Sequence, residues 1–171
     1  MKKLTYWGIV LFIGLLVVLA FWWVKAEEKD RKELLDQSEQ IEKERLNDFF
    51  TELHHVYGYL YTAENESLQL FLKIDEALRE GELSATLLMM ETTGDKSNSY
   101  KETKYTLNGI TDGLMVEFFT TVDGEPTKLK GNFHEGAASF DLSFWTTDQK
   151  LLFREVTEEE FKQRYEKFKK Q

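Results

Sequence analysis

His54, His55 and His134 are the three histidines of this 171-residue chain; with 31 carboxylates and no cysteine, they are the side chains that could hold a metal or move a proton. Neighbours on a helix diverge by about 100°, so His54 and His55 do not readily converge on one ion, and His134 would join them only if the fold brought it there. No thiolate site, disulfide or lipid-bearing cysteine can form. The Gly-x-Ser-x-Gly elbow of a serine hydrolase, a glycine loop for phosphate and a His-Glu-x-x-His zinc pair are all missing from the sequence. Among so many carboxylates no pair stands out as an acid and base. Asn65-Glu66-Ser67 is a glycosylation sequon, a triplet that also arises often by chance. The expectation is a protein that is not an enzyme, with no catalytic, cofactor-binding or metal-ligating residues and no cofactor.

The next informative stretch is Leu4 to Val24, 21 residues without a charge. As a helix rising about 1.5 Å per residue it would cross the roughly 30 Å of a bilayer's hydrocarbon. Tyr6, Trp7, Trp22 and Trp23 stand near its ends, where amphipathic rings settle at headgroup depth. A cleaved signal peptide is the competing reading, since Lys2 and Lys3 precede the run and Val18-Leu19-Ala20 and Val24-Lys25-Ala26 loosely fit a cleavage rule. A signal's apolar region is shorter, about 7 to 15 residues, so an uncleaved anchor over residues 1–24 is preferred. Lys25, Lys29, Arg31 and Lys32 beyond the run weigh against an N-inside orientation. Glu27, Glu28, Asp30 and Glu33 are interleaved with them, and N-inside with an extracytoplasmic body is the orientation adopted.

Residues 1–26 hold three lysines and no acid, so the other 145 residues carry 19 basic and 31 acidic side chains, a net charge of −12. Such a body repels phosphate backbones and anionic headgroups, which excludes nucleic acid as a natural partner and leaves the apolar run as the contact with the lipid bilayer.

From Lys25 to Tyr61 the chain has no Pro and no Gly before Gly58 and is dense in Glu, Lys, Arg, Gln and Leu, which predicts a helical stalk over residues 25–61. Leu46, Phe49, Leu53, Val56 and Leu60 recur every three or four residues, giving its distal half one apolar face. That face either packs on the chain's own domain or seams a coiled-coil homo-oligomer through the stalk. Sustained heptads are missing, which favours the first.

Beyond residue 66 the period falls to two. Leu68, Leu70, Leu72 and Ile74 alternate, as do Leu83, Ala85, Leu87 and Met89. The first of these could also be a short helix closed by Gly81, but a strand is preferred. Five further strands are expected at Tyr100–Leu107, Leu114–Val122, Thr127–Phe133, Ala138–Trp145 and Lys150–Val156. Turns are expected at Gly94-Asp95, Asp112-Gly113, Asp123-Gly124, Glu135-Gly136 and Thr147-Asp148, with Gly109, Gly113 and Gly131 at turns or bulges. Tight turns impose antiparallel neighbours, hence a meander of about seven strands forming a partly closed barrel or a sheet covered on one face. Phe118, Phe133, Phe140, Leu142 and Phe144 would face inward and Glu117, Asp141 and Ser143 outward. Thr157-Glu158-Glu159-Glu160 reads as a capping box, with Val156 and Phe161 placed as a hydrophobic staple, opening a short helix that lays Phe161, Tyr165 and Phe168 on the sheet. Residues 66–171 thus form a β-meander domain with a C-terminal helix.

The segments Tyr105-Thr-Leu-Asn-Gly-Ile-Thr-Asp-Gly113, Leu129-Lys-Gly131, Ser143-Phe-Trp-Thr-Thr-Asp-Gln-Lys-Leu-Leu-Phe153 and Val156-Thr-Glu-Glu-Glu-Phe161 resemble the β-meander of small membrane-anchored extracytoplasmic proteins of Bacillus-type bacteria. The resemblance covers residues 66–168, rests on turn glycines and alternation, and implies export to the cell surface without supplying catalytic residues. Many such proteins carry a lipid on cysteine, whereas this chain would depend on its helix.

The expected function is a single-pass envelope protein whose small β domain binds a protein or an envelope component, in immunity, exclusion or the stress response. The alternative is a structural component of a membrane secretion or conjugation complex, acting through span and stalk. An envelope hydrolase comes third.

Overall fold

The computed structural model describes residues 31–78, 80–93, 100–143 and 150–170. The Leu4–Val24 span, the Gly94-Asp95 and Thr147-Asp148 turns and Phe144 lie outside the described residues. Among those described, no helix is long and apolar enough to cross a membrane.

Residues 31–53 are helical and are called α1. By its contacts the chain divides into two units, residues 1–44 and 45–171. In the first, residues 31–44 are exposed all round, Leu34, Leu35 and Ile41 included. In the second, the closing turns of α1 bury Phe49, Phe50 and Leu53 in the core, with Leu46 and Val56 against them. The expected apolar face is therefore present and packs on its own domain.

The helix does not continue to Tyr61. It ends in a turn at His54 and His55, and β1 begins at Gly58 (Gly58–Thr62). Leu60 follows Val56 at helical spacing, but a gap of four is also two strand periods, and β-favouring Tyr57, Tyr59 and Tyr61 decide the matter. Gly58 is required there, because a Cβ would lie 2.5 Å from the Phe71 ring.

Seven more strands follow: β2 (Leu68–Ala77), β3 (Glu82–Thr92), β4 (Tyr100–Thr111), β5 (Met115–Val122), β6 (Glu125–His134), β7 (Ser139–Ser143) and β8 (Lys150–Val156). Each pairs antiparallel with the next, and β8 returns to β1, so the meander closes into an eight-stranded barrel. The eighth strand, beyond the seven expected, is β1, and it is the strand that closes the ring. The stretch with two readings at Leu68 is a strand. Gly113 is a turn residue (φ +80°); Asp123-Gly124 has positive φ at both positions, as a two-residue type I′ hairpin requires, and Glu135-Gly136, also positive at both, begins the four-residue connection between His134 and Ser139. Gly109 and Gly131 are neither turns nor bulges. They stand in regular pairs inside strands, opposite Phe118 and Val116, where a side chain has no room. The break in register falls instead between Ile74 and Glu76 of β2.

Inward positions alternate as expected: Phe118, Phe140 and Leu142 are wholly buried and Phe133 nearly so. Phe140 stacks on Phe153 at 5.0 Å and meets Tyr59 edge-on at 4.8 Å, so aromatic rings fill the bore. The Tyr59 hydroxyl donates to the Ala137 carbonyl at 2.6 Å, and burial, then Glu155 and Glu52, hold its pKa far above the ordinary value. α1 stoppers one end: Phe49 packs on Phe133 at 4.8 Å, the Glu52 carboxylate accepts from the Ala137 N–H at 3.1 Å, and Arg45 donates to the Asp112 carbonyl at 3.1 Å.

The last helix, α2 (Glu158–Phe168), opens with the expected capping box: the Thr157 hydroxyl accepts from the Glu160 N–H, and the Glu160 carboxylate accepts from the Thr157 N–H at 2.9 Å. It lies on the outside of the barrel over β1–β3. Phe161 stacks on Phe71 at 3.8 Å, Tyr165 donates to Glu102 at 2.9 Å, Lys167 pairs with Glu66 at 2.7 Å, and Phe168 is buried. Leu60, Phe71 and Met90, which point outward, are thereby taken from water.

Candidate binding surface

α2 reaches the Tyr100 end of β4 through Tyr165 and Glu102 and leaves bare the rest of β4 and the outer wall of β5–β8. Ile110, Leu114, Met115, Phe119 and Leu152 are all exposed there, and they are the large apolar groups of the second unit that an ordinary domain would hide, together with Leu78. Across the five strands, Ile110, Glu117, Lys130, Ser143 and Lys150 stand in one register row, and Met115, Asn132, Asp141 and Leu152 in the next. The first row, with Met115 and Asn132 of the second, borders a depression of about 720 Å3 lined also by Val116, Gly131 and Glu80.

Gly131 has the inward parity of Leu129 and Phe133; a Cβ there would fall 1.9 Å from the Asp141 carbonyl oxygen, so β6 and β7 approach more closely than any side chain would allow. The lip at Ile110 and Met115 is set by a hydroxyl and a carboxylate at the β4–β5 turn. Thr111 Oγ1 donates to the Met115 carbonyl at 2.6 Å and accepts from the Gly113 N–H at 3.0 Å. Asp112 Oδ1 accepts from the Leu114 and Met115 N–H groups at 2.8 and 2.7 Å. Partial burial of Asp112 opposes its ionisation, but those two N–H donors, its own and Arg45 prevail, and its pKa lies below the ordinary carboxylate value.

The charges of the wall are paired among themselves. Glu117 meets Lys128 at 2.7 Å and Lys130 at 3.4 Å; the hydrogen bond from Lys128, against slight desolvation, lowers its pKa. Asp141 gathers Lys150 at 3.2 Å, His134 Nε2 at 3.0 Å and the backbone and side-chain nitrogens of Asn132 at 3.1 and 3.2 Å. Its partial burial would raise the pKa, but Lys150, His134 and Asn132 together bring it below the usual value.

His134 is thus held by a carboxylate, and among the described residues no hydroxyl is hydrogen-bonded to it, so the pair has no nucleophile to activate. It does not meet the other histidines: the ring Nδ1 of His54 lies against the Phe50 carbonyl at the end of α1, beside a polar hollow of about 400 Å3 at Asp75 and Glu76. Among the described residues no group of three or more His, Asp or Glu is placed to hold a metal ion. Asn65 of the sequon is exposed and has a structural task, its Oδ1 accepting from the Ser67 N–H at 3.1 Å and hydroxyl at 2.7 Å across the β1–β2 turn.

No site residue was expected from sequence, and the wall was missed for a definable reason. Its signal is apolar Ile110, Met115 and Phe119 at positions whose neighbours Thr111, Val116 and Phe118 already occupy the inward face. That signal appears only when the register is known.

The class these features define is an eight-stranded up-and-down barrel, filled, stoppered by one helix and flanked by another. Comparison with protein-family models, with curated proteins and with solved structures finds no match for this chain.

Proposed function

We propose that the chain is a single-pass membrane protein that holds its barrel outside the cytoplasm and binds a protein partner of the envelope through the bare wall of β4–β8. The bilayer contact is the Leu4–Val24 span, followed by α1 as a short acidic stalk. The observation that carries the binding role is the contrast between a bore filled with rings, which leaves little space for a small ligand, and an outer wall that keeps Ile110 and Met115 in water around a 720 Å3 depression. Five strands at about 4.8 Å spacing make a face roughly 19 Å wide, the scale of a protein contact rather than of a metabolite pocket. Paired charges around an apolar centre match the rim and core of such interfaces. Export agrees with the resemblance to anchored surface proteins noted above, and the reading gives the barrel a role in immunity, exclusion or stress sensing.

The alternative, a scaffold component assembling through span and stalk, draws on Leu34, Leu35 and Ile41, exposed along the first unit's helix. A photoreactive residue at Met115 and another at Leu34, each in native membranes, separates the two. Capture of one discrete protein from Met115, abolished by Ile110→Lys, supports recognition by the wall. Capture from Leu34 alone would transfer the role to the stalk. Release of the body into the medium after cleavage at Ala20 or Ala26 would refute the anchor, and a phosphatase fused after Gln171 that is inactive would reverse the orientation.

A further inference from the structure

The barrel wall has one incomplete seam. β4 pairs with β3 along its whole length, from Glu82↔Ile110 to Thr92↔Tyr100, yet with β5 only from Thr111↔Val116 to Asn108↔Phe119. In that register Val122, the last residue of β5, would stand opposite Tyr105, so Tyr100 to Lys104 reach beyond the end of β5. On its other side β3 remains paired to β2 as far as Leu68↔Glu91, so this upper arm is a supported sheet whose outermost strand is β4. The Thr111 N–H donates to the Gly81 carbonyl, which directs odd-numbered residues of β4 to β3 and even-numbered ones to the open side. The Thr106 carbonyl, even-numbered, accordingly accepts from Thr120 Oγ1 at 2.9 Å across the seam. Beyond it, among the described residues, the N–H and C=O groups of Tyr100, Glu102 and Lys104 have no strand opposite them; Lys104 is exposed, and Glu102, exposed too, accepts from Tyr165 through one carboxylate oxygen.

We infer that this edge pairs with the same edge of a second copy, antiparallel about a two-fold axis at Thr103. A strand edge is a template for another strand, and lysines usually guard it by repelling their like. Of the registers that bring even-numbered residues opposite one another, three are centred on the edge's own charged stretch, Glu102 to Lys104. Centring on Glu102 sets glutamate against glutamate, and centring on Lys104 sets lysine against lysine. Centring on Thr103 sets Glu102 of each copy against Lys104 of the other, twice over, so the charges that would protect the edge in the other registers select this one. The contact is short and weak in dilute solution. Confinement to a membrane raises the local concentration of copies and makes it effective. This pairing is distinct from what the bare wall binds, since it uses the Tyr100–Lys104 end of β4 and the wall's depression lies at the Ile110 end.

Thr103 then faces its own copy as a non-hydrogen-bonded pair, with Cα atoms about 4.5 Å apart, inside the range of about 4.4 to 6.8 Å that a disulfide spans. The chain has no cysteine, so Thr103→Cys in the full chain, oxidised mildly in native membranes, reports the contact against no background. Glu125→Cys, exposed at the start of β6, is the control. The expected result is a covalent dimer from Thr103→Cys and little from the control. Adding Glu102→Lys or Lys104→Glu should each slow dimer formation about tenfold, as two facing pairs become repulsive, and the double exchange should restore it. Thr103→Cys no faster than the control, a double exchange as slow as the single ones, or linkage of Thr103→Cys to a different protein would each overturn the pairing.

Discussion

The two halves of the barrel's outer wall obey one alternation and end in opposite states. Under α2, the outward positions Leu60, Phe71 and Met90 are buried, and Gln69 with them, so this patch of β1–β3 is covered on both faces. On β4–β8 the outward positions are Glu117, Lys130, Asp141 and Lys150, paired with neighbours, and the apolar groups among them stay wet. What covers a sheet is thus written in its second face. The half whose outer face gathers Leu60, Phe71 and Met90 into one patch has its cover in the chain, and the half with apolar groups scattered among ion pairs keeps them in water, where the proposed partner would sit.

The largest effect that should separate the halves is ring removal. Phe71→Ala takes away a buried ring stacked on Phe161 and should lower stability by about 3 to 5 kcal/mol. Phe119→Ala, on the bare wall, should change it by no more than about 0.5 kcal/mol. Urea melts of the detergent-solubilised chain give both numbers, and equal effects would erase the distinction. Next comes Gly131→Ala, whose methyl group must push β6 from β7 and should cost about 1 to 3 kcal/mol. Loss of partner capture at Met115 in excess of the loss of stability would tie the close β6–β7 spacing to binding.

Weakening the cover itself should do less. Thr157→Ala removes the capping hydroxyl of α2 at about 1 kcal/mol, and hydrogen exchange should quicken in α2 before it does in the barrel.

The smallest effect is electrostatic and belongs to the bare wall. Asp141 and Asp112 have pKa values lowered on folding, so their stabilisation is fully present above the unfolded value of about 3.9 and is lost as pH falls through the folded values. Asp141→Asn should therefore destabilise slightly at neutral pH and flatten the acid limb of a stability profile below about pH 4. A limb as steep as the parent's would show that the Lys150 and His134 contacts contribute nothing.

How much of this was readable before the fold was known follows from the reach of each signal. Alternation, turn glycines and the Thr157-Glu160 box are local, and they placed β2–β8, the turns at Asp112-Gly113, Asp123-Gly124 and Glu135-Gly136, and α2. β1 was lost because Val56 and Leu60 satisfy two periods at once, and with it went closure of the barrel, which depends on Gly58↔Val156 pairing across nearly the whole domain. Gly109 and Gly131 looked like turns because a glycine's need for space is set by a neighbouring strand, Phe118 in one case and Asp141 in the other. The bare wall and the open edge of β4 are likewise properties of register, absent from any single strand.

The chain's own methionines test the central contrast most directly. Met90 is wholly buried beneath α2 and Met115 is 58% exposed on the bare wall. Their rates of peroxide oxidation are read by mass spectrometry, in the purified chain and in native membranes. Met115 should oxidise rapidly and Met90 hardly at all when the protein is pure, and Met115 alone should slow several-fold in the membrane, where a partner covers it. Equal rates for the two methionines in the pure protein, or a Met115 rate that is the same in both settings, would contradict the account.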